Sequence, residues 1–85
     1  MKTIAKALIE AAAFLEFSED DSVDPDEAVR ALEGIAYTLH KASPEEIAAL
    51  RDALREMVDA SQTDAARAAA RRFSDAFLES MGVTP

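Results

Sequence analysis

Apolar side chains recur along the chain at three- and four-residue intervals in four blocks separated by short polar breaks, a pattern that predicts four helices and no strand. The first helix is predicted over 4–17. Lys2, Lys6 and Glu10 form a single polar stripe at four-residue spacing, and almost every other position is alanine or a larger apolar residue. Continuing that stripe by seven residues from Glu10 reaches Phe17, an aromatic where water is expected. A helix that is apolar around most of its circumference is either central or covered by a partner. The expectation here is a partner, with Ile4, Leu8, Phe14 and Phe17 as candidate dimer contacts.

The second helix, predicted over 25–41, starts from Asp24-Pro25-Asp26-Glu27: a cap carboxylate, a proline at the first helical position and an acid at the third. Its stripe is Val29, Leu32, Ile35, Ala36 and Leu39, and His40 and Lys41 close it with positive charge where the helix dipole favours it. Ser43-Pro44-Glu45-Glu46 repeats the device, so capping boxes are expected at Asp24/Glu27 and at Ser43/Glu46. The third helix, predicted over 44–60, carries Ile47, Leu50, Leu54, Met57 and Val58 on one face. So short a turn between the second and third helices predicts that they lie side by side and antiparallel.

The fourth helix, predicted over 63–81, places Ala66, Ala69, Ala70, Phe73, Ala76 and Phe77 inward. It ends at Gly82, suited to the left-handed position after a helix, with Leu78 and Val83 placed for the accompanying apolar contact. Ser61–Thr63 offers only polar cap residues as a break, so the alternative of one long merged helix from Pro44 to Met81 stays open. The expected fold is all-α, a small antiparallel four-helix bundle.

Composition tightens this picture. Eighty-five residues make one domain, 1–85, and nineteen of its apolar residues are alanine, which favours helix but contributes little buried area. A core this thin is commonly supplemented by a disulfide, a metal or a second subunit. The chain has no cysteine, so disulfides, thiolate chemistry and cysteine-ligated zinc are excluded and a homodimer becomes the expected supplement. The longest apolar run, Ala7–Leu15, is interrupted by Glu10 and is too short to cross a bilayer. It also lacks the small-residue cleavage site of an export signal, so the expected location is the cytoplasm.

Charge is concentrated. The net charge is −8, and residues 10–33 hold nine acids and one arginine, so the rest of the chain sums to zero. Nucleic acid and anionic membranes would be repelled by such a surface, whereas a basic protein would be attracted. Capping explains Asp24, Asp26 and Glu27. It leaves Glu16, Glu19, Asp20 and Asp21 without a local role, and these four with Asp24 and Asp26 form the candidate partner-binding corner.

Several chemistries can be tested on the same residues. A calcium loop begun at Asp20 would have Asp20, Ser22, Asp24 and Asp26 at alternate positions, but Pro25 stands where the turn needs glycine and Ala31 where a bidentate glutamate is needed. Asp21, Ser22, Val23, Asp24, Glu27, Val29, Ala31, Leu32 and Glu33 resemble the attachment motif of acyl carrier proteins and the helix after it. That resemblance, over about thirteen residues, implies a phosphopantetheine arm on Ser22 and an acidic helix read by partner enzymes. Pro25 moves the helix start to Asp24, however, because a residue before proline is disfavoured in the helical region. His40 is the lone histidine; Glu33, Tyr37 and His40 share one helix face, but no nucleophile or glycine-rich phosphate loop accompanies them. No Glu-x-x-His motif is present for a di-iron bundle, so no cofactor and no metal is expected. Arg67, Arg71 and Arg72 are the only basic cluster, with Asp64 and Asp75 spaced to pair with them along the helix.

The expected function is therefore non-enzymatic: a homodimeric structural or adaptor module. One alternative is an acyl-carrier-like protein modified on Ser22; the other is an inhibitor whose acidic corner binds a basic partner such as a toxin nuclease. In size, charge and expected fold the chain resembles colicin-type immunity proteins, which act in this way.

Overall fold

The structure, a computed structural model, describes residues 1–84. It has four helices, α1 (Lys2–Phe17), α2 (Pro25–Leu39), α3 (Pro44–Asp59) and α4 (Asp64–Ser80), and no strand among the described residues. The all-α fold and the four-helix bundle of the sequence reading are thus observed. Two helical hairpins, α1–α2 and α3–α4, pack across one another, with α1 lying chiefly on α3 and α2 only lightly on α4. The second and third helices, consecutive in sequence, are not one of the closely packed pairs, which corrects the expected side-by-side hairpin.

Local chemistry sets the boundaries. The Asp24 carboxylate accepts from the Glu27 backbone N–H at 3.1 Å, with Pro25 in the first turn. The Glu27 side chain does not return to close a box: it lies 3.0 Å from Arg30, one turn on. Only α3 has the full capping box, with the Ser43 N–H donating to the Glu46 carboxylate at 2.8 Å and the Glu46 N–H donating to Ser43 Oγ at 3.2 Å. These bonds hold the Glu46 carboxyl below its ordinary range, the backbone N–H of Ser43 being the larger cause and its hydroxyl the smaller.

The merged third and fourth helix does not occur. The Ser61 hydroxyl donates to the Met57 carbonyl at the end of α3, Thr63 Oγ1 accepts from the Ala66 N–H to start α4, and Arg67 donates to the Ser61 carbonyl at 3.0 Å. Arg67 is thereby spent on the turn instead of on Asp64. Among the described residues the ion pairs are Lys2–Glu56, Glu27–Arg30 and Asp52–Arg55, so the expected Asp64–Arg67 and Arg71–Asp75 pairs are not formed. At the far end Gly82 has φ +79°, the Val83 N–H donates to the Leu78 carbonyl and the Gly82 N–H to that of Glu79. This is the Schellman arrangement, and Val83 packs on the core beside Leu78 as its spacing requires.

The core is wholly apolar: Ala5, Ile9 and Ala12 from α1, Leu50, Ala53 and Leu54 from α3, and Phe73, Phe77, Leu78 and Met81 from the end of the chain. Leu54, 1% exposed, is its centre. The small residues on α1 let its backbone come close to α3, which explains why this is the tighter of the cross-hairpin contacts. The inward face of α4 differs from the expected one. Ala66 and Ala76 are exposed, and Leu78 and Met81 take the buried places. Two large side chains outweigh two alanines because burial scales with apolar area.

Candidate functional site

Light contact between α2 and α4 leaves an open trough between them. Its volume is about 750 Å³. The floor is aromatic: Phe17, Phe73 and Phe77 run in a row with successive ring centroids 5.7 Å apart. Val29, Leu32 and Ala36 form the α2 wall, and Ala69 and Ala76 the α4 wall. The alanines keep the α4 side low, so an incoming group can approach the backbone and the Phe73 ring.

Three large apolar side chains at this trough stay in water. Phe17 is 54%, Val29 56% and Tyr37 72% exposed. Single exposed apolar residues are ordinary, but a group of them around a concave apolar floor marks a binding surface. Polar and charged groups surround the floor on several sides, with Glu16, Glu33, Arg72 and His40 among the lining residues. The His40 ring also lies against Gly82, where a Cβ would stand 3.2 Å from Cε1, so the ends of α2 and α4 meet beside the trough. Tyr37 has the Lys41 ammonium 5.9 Å from its ring centroid.

The sequence-derived candidates fall into separate places. Glu16, Glu19, Asp20, Asp21, Asp24 and Asp26 are all exposed, and the corner they make adjoins the trough through Glu16 and Phe17. Asp24 is engaged as the α2 cap, and none of the six has an ion-pair partner among the described residues. No three acidic or histidine side chains converge there as metal ligands would, again among the described residues. Of the candidate dimer contacts, Ile4 and Phe14 are exposed on the outer side of α1, Leu8 is half-buried against the core, and Phe17 belongs to the trough floor. Ser22 is exposed in the turn that precedes the Asp24 cap, its N–H donating to the Glu19 carbonyl. Glu33, Tyr37 and His40, grouped by helical spacing, do line one wall.

Val29, Ala36, Arg72 and Ala76 were not legible as site residues. For the α2 pair the signal was an excess, since α2 carries more large apolar residues than one packed face can bury and Tyr37 falls beside its stripe; Arg72 and Ala76, on α4, had none.

Fold and site together define a small all-helical protein with an open, aromatic-floored trough bordered by an acidic corner. No protein-family model, no curated protein and no solved structure matches the chain.

Proposed function

We propose that this chain is a non-enzymatic protein-interaction module that seats an amphipathic helix of a partner protein in the α2–α4 trough. The observation that carries the reading is the trough itself, with Val29 and Tyr37 left in solvent beside a floor of phenylalanine rings whose outermost member, Phe17, is also exposed. Helix-in-groove recognition uses such a floor for apolar anchors one turn apart. Charge selects the partner. Glu16 and Glu33 outnumber Arg72 along the lining, and Glu19, Asp20 and Asp21 extend the negative field past one end of it, so the seated helix carries lysine or arginine on its flanks. A second copy of this acidic chain would meet like charge at the same place. Where the basic partner surface is one that binds nucleic acid, occupying it makes the module an inhibitor.

The only tyrosine, in a chain without tryptophan, stands on the trough wall, so intrinsic fluorescence reports occupancy directly. A four-turn amphipathic peptide of leucine and lysine is titrated into the full chain, and a leucine–glutamate peptide serves as the control. The lysine peptide is expected to change Tyr37 emission saturably in the micromolar range. Ala76→Glu, which fills the trough from α4, is expected to weaken binding by at least about tenfold, or ~1.4 kcal/mol. Equal binding by Ala76→Glu would show that the peptide is held by charge alone and would refute the reading.

A further inference from the structure

The outer side of α1 carries a second pattern, independent of the trough. Ile4, Ala7, Ala11 and Phe14 are all exposed, and their spacing of three, four and three is that of the two apolar seam positions of a heptad. Ile4 is 74% and Phe14 60% exposed, the largest apolar side chains that α1 leaves uncovered apart from the Phe17 of the trough floor and Met1 before its first turn. The face of α1 that meets the bundle is already used by Ala5, Ile9 and Ala12, so none of the described residues covers this seam.

We infer that the seam is covered by α1 of a second copy, lying antiparallel about a two-fold axis between Ala7 and Ala11. Three features of the chain fit that occupant. First, the seam is complementary to itself in reverse: Ile4 faces the partner's Phe14, Ala7 faces the partner's Ala11, and each large residue meets a large one while each small residue meets a small one. In antiparallel helix pairs the two kinds of seam position face each other, which is the pairing this order produces. Second, the contact brings no excess of charge with it. Lys6 and Glu10, which flank the seam on one side, contribute equal numbers of both signs from the two copies. Third, the antiparallel direction holds the acidic corners apart. The corner begins at Glu16, near one end of a helix of 16 residues, or roughly 24 Å. Antiparallel copies therefore carry their corners at opposite ends of the pair, separated by more than the screening length of ~8 Å at physiological salt. A parallel pair would set the two corners side by side.

The interface is small. Two helices of this length meet over less than about 1,200 Å², the size of weak and transient associations. Dimerisation is accordingly concentration-dependent, and added salt strengthens it by screening the net charge of −8 on each copy. Both troughs remain open, because Val29, Leu32, Ala69 and Ala76 lie on other elements.

Sedimentation equilibrium of the full chain across micromolar concentrations tests the dimer, and crosslinking tests its direction. The chain has no cysteine, so introduced thiols are unambiguous. Ala7→Cys and isotope-labelled Ala11→Cys are mixed, oxidised, and the products weighed by mass spectrometry. The mixed disulfide is expected to exceed either self-disulfide. Phe14→Glu is expected to raise the dimer dissociation constant by at least about tenfold while leaving the helical circular dichroism unchanged. A strict monomer at all concentrations, or self-disulfides of both variants in excess over the mixed one, would overturn the inference.

Discussion

The two glycines of the chain call for opposite responses to one chemical change. Gly34 lies inside α2, and a methyl group built on it meets no atom within 4 Å. Replacing an exposed glycine in a helix interior by alanine restricts the unfolded chain and gains about 0.8–1.0 kcal/mol. Gly82 is held at φ +79°, where a Cβ would stand 3.2 Å from Cε1 and 3.4 Å from Nδ1 of His40. Alanine there takes on the left-handed penalty of about 1–2 kcal/mol, only partly offset by its smaller loss of chain entropy, and it presses on the histidine as well. In a domain of this size 1 kcal/mol moves the melting temperature by about 4–8 °C. Gly34→Ala is therefore expected to raise Tm by about 4–8 °C and Gly82→Ala to lower it by a similar amount. Thermal melts followed by far-ultraviolet circular dichroism, at one fixed protein concentration, measure both. Shifts of the same sign would refute the reasoning. A fall for Gly34→Ala in particular would place a neighbour where the structure has open space.

Other substitutions test the remaining supports. Leu54→Ala removes the most buried large side chain and is expected to cost about 2–5 kcal/mol, comparable to the whole stability of so small a domain, as a collapse of the cooperative urea transition. Ser43→Ala is expected to cost about 1 kcal/mol in urea unfolding, because it removes the hydroxyl that caps α3. Glu27→Ala is expected to cost only about 0.2–0.5 kcal/mol, since its carboxylate has left the α2 cap for an exposed pair with Arg30. Acid should act through Glu46, whose carboxyl the Ser43 N–H and hydroxyl hold below the ordinary range. A lowered folded pKa lends stability that is complete above the unfolded value and lost as pH falls through the folded one. Glu46→Gln should thus be less stable than the parent at neutral pH, with the gap closing through that window in urea titrations at stepped pH; a gap that stayed constant would contradict the assignment.

Boundaries were legible because caps are local. Pro25 and Pro44, with an acceptor side chain before each, mark helix starts wherever the rest of the chain goes, and Gly82 marks an end for the same reason. The α3–α4 break was harder, since it rests on the Ser61 and Thr63 hydroxyls and on Arg67 reaching back to the Ser61 carbonyl, a contact across six residues. Facing was least legible in α4. Ala65, Ala66, Ala68, Ala69 and Ala70 offer almost no preference between faces, so the register is set by Phe73, Phe77, Leu78 and Met81 further on. The acidic corner could be read directly from the charge run. The trough could not, because it exists only through the loose packing of α2 on α4, and no periodicity within one helix encodes how closely another will come.

The most direct test of the central claim is a residue-resolved NMR titration of the full chain with the leucine–lysine peptide. Helix docking in the trough predicts that the signals of Leu32, Ala36, Tyr37, Phe73 and Ala76 shift together and saturate at one peptide concentration. Shifts confined to Glu19, Asp20 and Asp21, with those five signals unmoved, would show a charged surface without a seat and would contradict the account.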